Sequence, residues 1–287
     1  MNEADYHRDA SLSHSKIEDF IRSPSVYYGR HVAQPRTIAA WDGTDETMLG
    51  SATHALVLEG QEVFDRKFAV WKGGPTEKGE HSMRAGTNAH KAFIAECQSA
   101  GQQVITSKQL DAAQAMATAL HDHHEARELL FKWRGEPEVT LKWETDLDGR
   151  CKARLDRLCR DYRAIIDLKT FSADNFPALE KQAAGLGYHR KVDWYSRGYF
   201  QSFGETPDHF FFVGVRSVAP HDVFIWELTP DAEAIAKIEI DLALEGIRAC
   251  KASGDWSPME SRAVQKVDVP LWAMSAAARK VWQEQGR

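Results

Sequence analysis

The clearest hydropathic signature in the chain begins at Glu138. In EVTLKWET, Val139, Leu141 and Trp143 fall on one face of an extended segment and Glu138, Thr140 and Lys142 on the other. That is the period-two pattern of a half-buried strand. Asp148-Gly149 predicts a tight hairpin turn, Cys151–Cys159 a returning strand, and Ala164–Thr170 a third strand after a polar turn at Arg160–Arg163. A meander of antiparallel strands is expected. In its last strand the apolar run Ala164–Ile166 leads directly into Asp167, Leu168 and Lys169. Asp167 and Lys169 share one face of that strand and Leu168 takes the other. Antiparallel pairing brings Asp156, on the preceding strand, towards Asp167.

Elsewhere the period is helical. Ser15 and Glu18 fit a capping box ahead of an apolar face of Ile17, Phe20 and Ile21, and Ser23-Pro24 ends that helix before a short second one at Tyr27–Tyr28. Gln34–Thr47 reads as loop, Gly50–Gly60 as a helix containing His54, Phe64–Val70 as a strand, and Trp71–Gly86 as a mobile loop. Asn88–Ser99 and Ser107–Leu130 are helical, the second capped by Thr106 or Ser107. Within it His121, His123, His124 and Glu125 cluster, but their spacing does not set a ligand pair on one face, and a solvated helix junction is expected.

After the meander, Asp174 and Pro177 open a helix running to about Phe203, with an interruption at Gly185–Gly187. Lys191 and Tyr195 share a face of it with Tyr188 and Tyr199, so they can line a groove beside the hairpin. His209–Arg216 and Asp222–Leu228 read as buried strands and Pro230–Ser253 as a long helix. The expected fold is α/β, with a mainly helical part over 1–135, a sheet core with a crossing helix over 136–260, both in one domain, and a tail over 261–287 that docks on the surface or on a neighbour.

Composition narrows the class. The chain has 287 residues, 43% of them hydrophobic and 27% charged, as in soluble globular proteins. No apolar run approaches membrane-spanning length, and the opening MNEADYHRDASLSHSK is polar and acidic, unlike a secretory signal. A cytoplasmic protein without membrane attachment is expected. Cys97, Cys151, Cys159 and Cys250 are scattered, which excludes zinc-ribbon spacing and disfavours an iron–sulfur cluster. The net charge of −6 counts mildly against nucleic acid as partner, although a local basic groove can act inside an acidic exterior.

The chemistry concentrates at the meander. Asp156, Asp167 and Lys169 converging at the end of a hairpin suit a hard divalent cation and a water attacking a phosphodiester. The competing reading of Asp-x-Lys on a strand is a solvated ion pair of little energetic weight. A lone histidine such as His54 is more often a core or surface residue than a ligand, and it matters only if its helix faces the hairpin.

Five segments, LSHSKIEDFIRSP, GSATHALVLEG, CKARLDRL, IIDLKT and YHRKVDWYSRGY, occur in this order between Leu12 and Trp256. Together they resemble the PD-(D/E)XK nuclease superfamily, and more closely the RecE-like exodeoxyribonuclease VIII type of phage and prophage, with its RecB-like nuclease domain. The resemblance implies a restriction-endonuclease-like core, a mixed central sheet flanked by helices. It implies His54, Asp156, Asp167 and the backbone carbonyl of Leu168 as metal ligands, with Asp156, Asp167, Lys169 and Glu138 as the catalytic set. Mg²⁺ is the implied cofactor, and the histidine ligand favours Mn²⁺ as a substitute. Arg154 is either a phosphate contact or a salt bridge holding the acids. Lys191 stands where relatives carry the glutamine of a Q-x-x-x-Y motif, with Tyr195 as its tyrosine, and both are candidate substrate contacts. Lys16, Arg22 and Arg30 are candidates for a 5′-phosphate pocket.

The implied activity is a metal-dependent 5′→3′ exonuclease on double-stranded DNA ends, leaving 3′ single strands for recombination. The implied partners are a single-strand annealing recombinase and further copies in a homo-oligomeric ring. A structure-specific or restriction-like endonuclease is the alternative, and a non-catalytic DNA-binding module a more distant one.

Overall fold

The computed structural model describes residues 3–35, 44–75, 81–258, 264 and 266–284. Helices α1 (Glu3–Arg8), α2 (His14–Arg22) and α3 (Pro24–Tyr27) lead, and α3 runs on through a π-helical turn to Val32. Helix α4 (Asp45–His54) continues as a π-helical segment, Ala55–Glu59, before α5 (Gln61–Lys67). Then come β1 (Phe68–Trp71), β2 (Gly74–Pro75), β3 (His81–Ser82), α6 (Asn88–Ser99), β4 (Gln103–Thr106), α7 (Ser107–Asp122) and α8 (His124–Arg127). The core follows as β5 (Glu136–Thr145), β6 (Gly149–Cys159), β7 (Ala164–Phe171), α9 (Phe176–Gly185), α10 (Tyr188–Phe203), β8 (His209–Arg216), β9 (Val223–Trp226) and α11 (Pro230–Ser253), with α12 (Ala276–Glu284) beyond. The loop expectations for 34–47 and 71–86 fall partly on residues 36–43 and 76–80, outside the described residues; of the rest, Asp45–Thr47 is already helix and Gly74–Pro75 pairs with His81–Ser82.

Strands β5-β6-β7-β8-β9 form one sheet in that order. β7 and β8 are parallel, joined by the α9–α10 crossover, and the other neighbours are antiparallel. β7 is apolar on both faces because both are covered. Ile165 packs with Trp194 and Tyr199 under α10, while Ile166 and Leu168 pack with Met116 and Leu120 of α7. The face that carries Ile165 therefore also carries Asp167 and Lys169, and points them at α10.

The β6–β7 ladder consists of Arg157↔Ile166, Leu158↔Ile165 and Cys159↔Ala164 and then stops. Its next pair would have been Asp156 and Asp167, where the strands part. The freed edge of β6 is taken by the N-terminal segment: the Leu12 N–H donates to Arg150 O at 2.8 Å and the Lys152 N–H to Leu12 O at 2.8 Å. The Lys152 ammonium, 2% exposed, donates to the carbonyls of Tyr6 and Asp9 and lies 4.2 Å from the Tyr6 ring centroid. A buried lysine thus pins α1 into the fork, and burial pushes its pKa down against the pull of Asp9.

Several local expectations change. Phe64 sits in α5 rather than a strand, because Phe64 and Phe68 are a helical turn apart and stack at 5.2 Å in the core beneath α4. The strand begins only at Phe68 and pairs in parallel with β4. The cap of α2 is Ser13, not Ser15, and Glu18 is drawn across to Arg190 instead of closing a capping box. His123 breaks the α7–α8 run, its ring nitrogen accepting from the Ala126 N–H at 3.3 Å. β9 is a half-buried edge strand rather than a buried one.

Arg190 of α10 donates to Glu18 of α2 at 2.6 and 2.8 Å and to Glu239 of α11 at 2.7 Å. Burial raises the Glu18 carboxyl, but Arg190 and His14 outweigh it and hold it down at about 2. A carboxylate with a depressed folded pKa stabilises the fold above its ordinary range near 4.5 and loses that contribution as pH falls towards 2. Arg190→Gln is therefore expected to lower the melting temperature most above pH 5, the gap to wild type closing between pH 4.5 and 2. Calorimetry across that range checks it, and a gap that widens on acidification contradicts it.

Candidate metal centre

The site forms where the fork opens. β6 and β5 keep one register through Pro137↔Arg157 and Val139↔Leu155, yet Glu138 and Asp156 between them do not pair. Glu138 has φ 54, a left-handed conformation inside a strand, which costs a non-glycine residue about 1–3 kcal/mol. On the other side, the Asp156 carboxylate accepts from the Leu168 N–H at 2.9 Å, taking the place of a backbone partner where the ladder has ended.

The third element is α4. Its N-terminus is closed by a capping box between Thr44 and Thr47. At Gly50 a β-carbon would come 3.1 Å from Thr170 Oγ1, so glycine lets the helix lie against the end of β7. One turn later His54 Nδ1 stands 3.7 Å from Asp156 Oδ2. Gly50→Val is expected to push α4 outward and weaken Mn²⁺ binding about 10-fold or more. Calorimetric titration reads this, and an unchanged affinity in a folded variant would show that the close approach is dispensable.

His54, Glu138 and Asp156 each offer a ligand atom, all within 4.8 Å of one another. Ligands that share one cation at about 2.0–2.6 Å stand this far apart, so the donor set fits a divalent ion. Burial raises the Glu138 carboxyl; Asp156 adds to that rise, and Arg154, which donates to Glu138, opposes it. Crowded acids of this kind are relieved by a cation.

Asp167 is placed differently. It has no solvent exposure, and its carboxylate is gripped by the ammonium groups of Lys169 and Lys191. Burial favours its neutral form, but the two lysines outweigh it and hold the carboxyl well below its usual range. Lys169 Nζ lies 4.0 Å from Asp156 Oδ2 and donates to the Leu168 carbonyl at 3.3 Å; burial pulls its pKa down against Asp167. Lys191 sits 4.9 Å from the Tyr195 ring centroid, and Tyr195 itself is only 7% exposed, in the core rather than in a groove. Leu168 thus presents its N–H to Asp156 and its carbonyl to Lys169.

Beside these groups lies a cleft of about 420 Å³ whose walls include His54, Glu138, Arg154, Lys169, Tyr6 and Tyr188. Lys16, Arg22 and Arg30 do not line it: Lys16 donates to the carbonyls of Ala10 and Ser11, and the two arginines gather around Asp19. Sequence reasoning passed over Tyr6, Lys152 and Gly50. Gly50 read only as the edge of the expected helix and lies inside α4 in the structure, and nothing local marks Tyr6.

A central mixed sheet with a helical N-terminal region matches the fold of PD-(D/E)XK-like nucleases. The chain belongs to the family described as "PDDEXK-like domain of unknown function (DUF3799)", which it matches over residues 13–268. A crystal structure described as a "Putative exonuclease" from Eubacterium rectale is similar in fold, with TM-score 0.60 and 15% identity over 96% of this chain and 98% of that one. A second solved structure, SSO0001, shares 13% identity over 70% of this chain and 88% of its own, with TM-score 0.27, too low to bear on the fold. No curated protein matches the sequence. Among the described residues, no helix is long and apolar enough to cross a membrane.

Proposed function

We propose that this protein is a divalent-metal-dependent deoxyribonuclease that hydrolyses DNA phosphodiesters, acting 5′→3′ from double-stranded ends and leaving 3′ single strands for recombination. The observation that carries the nuclease reading is the His54–Glu138–Asp156 ligand set beside Lys169, at the fork of a PD-(D/E)XK sheet. The exonuclease mode, the phage setting, a single-strand annealing recombinase and a ring of copies are supported by the RecE-like motifs. The printed description of the Eubacterium rectale structure adds to the exonuclease mode. One nuclease domain reaches to about residue 260, and the tail beyond it serves contacts rather than chemistry.

His54, Glu138 and Asp156 would hold the cation, Mg²⁺ or Mn²⁺. When bound, such an ion supplies positive charge at the scissile phosphate and acidifies a water. Asp156 is kept in place by the Leu168 N–H and keeps its remaining lone pairs for a cation shared with His54 and Glu138. Lys169, desolvated between Asp156 and Asp167, is an ammonium that orients the attacking water by donating to it and offsets charge building on the phosphate. Arg154, paired with Glu138 on the cleft wall, both positions that acid and turns a cation towards substrate.

The test sets a 5′-labelled linear duplex beside a covalently closed circle of the same DNA, each with Mg²⁺, with EDTA and with Lys169→Met. Metal-dependent loss of the linear DNA alone, early release of labelled mononucleotide, and a drop of about 10²–10⁴-fold in the variant are expected. A cut circle replaces the exonuclease with an endonuclease. Inertness of both DNAs under every metal overturns the nuclease reading.

A further inference from the structure

We propose that Lys191 is a built-in cation that reserves Asp167, so that the centre takes one divalent ion, on the His54–Glu138–Asp156 side, and has no place for a second. The inference rests on the metal-centre reading above and concerns how that centre is filled.

Asp167 faces the same fork as Asp156, yet its two oxygens are already divided: Oδ1 meets Lys191 and Oδ2 meets Lys169. The grouping that can share a cation is correspondingly His54, Glu138 and Asp156, without Asp167. Three carboxylates (Glu138, Asp156, Asp167) meet three cationic side chains (Arg154, Lys169, Lys191) within this network. The negative charge is therefore not left over but unevenly spread. Arg154 is the cation on the Glu138 side, while two ammonium groups crowd Asp167. A dication approaching Asp167 would have to stand against both.

Lys191 cannot easily yield. Its side chain is 14% exposed and the Asp167 side chain not at all, so separating them strands a buried charge. The Tyr195 ring lies 4.9 Å from its ammonium. The helix that carries it is tied to β6 by the Trp194 indole N–H, which donates to Lys152 O at 3.0 Å, and to α2 and α11 by Arg190. A neutral side chain at this position would leave Asp167 Oδ1 without its counter-charge and turn the fork into a pair of acids, Asp156 and Asp167, able to accept a second ion. Lys169 reaches the site from β7 itself and is needed for the chemistry; Lys191 arrives from α10 and supplies charge alone.

The experiment titrates the full-length protein, without DNA, with Mn²⁺. Free ion is counted by its solution electron paramagnetic resonance signal, and the bound form is inspected in frozen samples for coupling between neighbouring ions. Wild type is expected to bind one Mn²⁺ per chain with an uncoupled spectrum. Lys191→Gln and Lys191→Met, each checked by circular dichroism for a native fold, are expected to bind two, with a coupled spectrum. Two ions on the wild-type protein overturn the proposal whatever the variants do. One ion on wild type and on a folded variant overturns the role given to Lys191. No Mn²⁺ on wild type overturns the metal centre itself, and the proposal with it.

Discussion

Asp156→Asn is expected to lower nuclease activity by about 10³-fold or more while leaving the metal-free chain at least as stable as wild type. The loss follows from the position of the carboxylate. Asp156 is the residue that His54, Glu138 and Lys169 all approach, at 3.7 Å for His54 and 4.0 Å for Lys169. An amide keeps an oxygen for the Leu168 N–H but removes the charge that a divalent ion requires. The retained stability follows from the same geometry, because Asp156 raises the Glu138 carboxyl and its neutralisation removes that repulsion. Initial rates on the labelled duplex, paired with thermal melts in EDTA, check both halves. Activity within 10-fold of wild type would remove Asp156 from the centre. A large drop in melting temperature would mean that its role is architectural.

Asp167→Asn is expected to behave oppositely, destabilising the fold by about 3–5 kcal/mol as well as abolishing activity. The side chain is fully buried, and its charge is the counterweight of two ammonium groups. Deleting one partner of a buried ion pair leaves the other uncompensated, which costs far more than the pair contributes when intact. Adding Lys191→Met to Asp167→Asn should recover part of the loss, since one stranded ammonium is then gone, and the non-additivity of the cycle measures the coupling. Urea denaturation of the single and double variants is the measurement. An Asp167→Asn chain within about 1 kcal/mol of wild type would show that the two lysines solvate themselves without it.

The contrast between these two aspartates is the part of the site that residue spacing did not reveal. Strand periodicity placed Asp167 and Lys169 on one face, and the register of the hairpin pointed Asp156 to the rung opposite Asp167, but the ladder ends one rung earlier, at Arg157 and Ile166. Spacing alone suggested equivalent acids. The fork makes them different: one carboxylate groups with His54 and Glu138 and accepts from the Leu168 N–H, and the other looks inward at α10. Glu138 joined the set through a backbone conformation, φ 54, that no propensity of glutamate would predict. Lys191 was visible as a lysine in a helical motif, but its expected groove-facing role gave way to a buried contact because α10 packs directly on the face of β7 that carries Asp167.

What the amino-acid order determined by itself is what short-range patterning encodes. Alternation wrote β5, an apolar run leading into charge wrote β7, Asp148-Gly149 set the turn to β6, and Gly187, at φ 70, the break between α9 and α10. Together with the ordered motifs, this was enough to expect the fold class. Tertiary structure decided the rest. The distance from His54 to Asp156 depends on α4 settling against Thr170 through Gly50. The opening of the fork depends on Leu12 and Lys152 filling an edge that β7 abandons, and the loyalty of Asp167 depends on a lysine 24 residues away. Each is a contact between elements distant along the chain, and its energy comes from burial and charge pairing that exist only once those elements have packed.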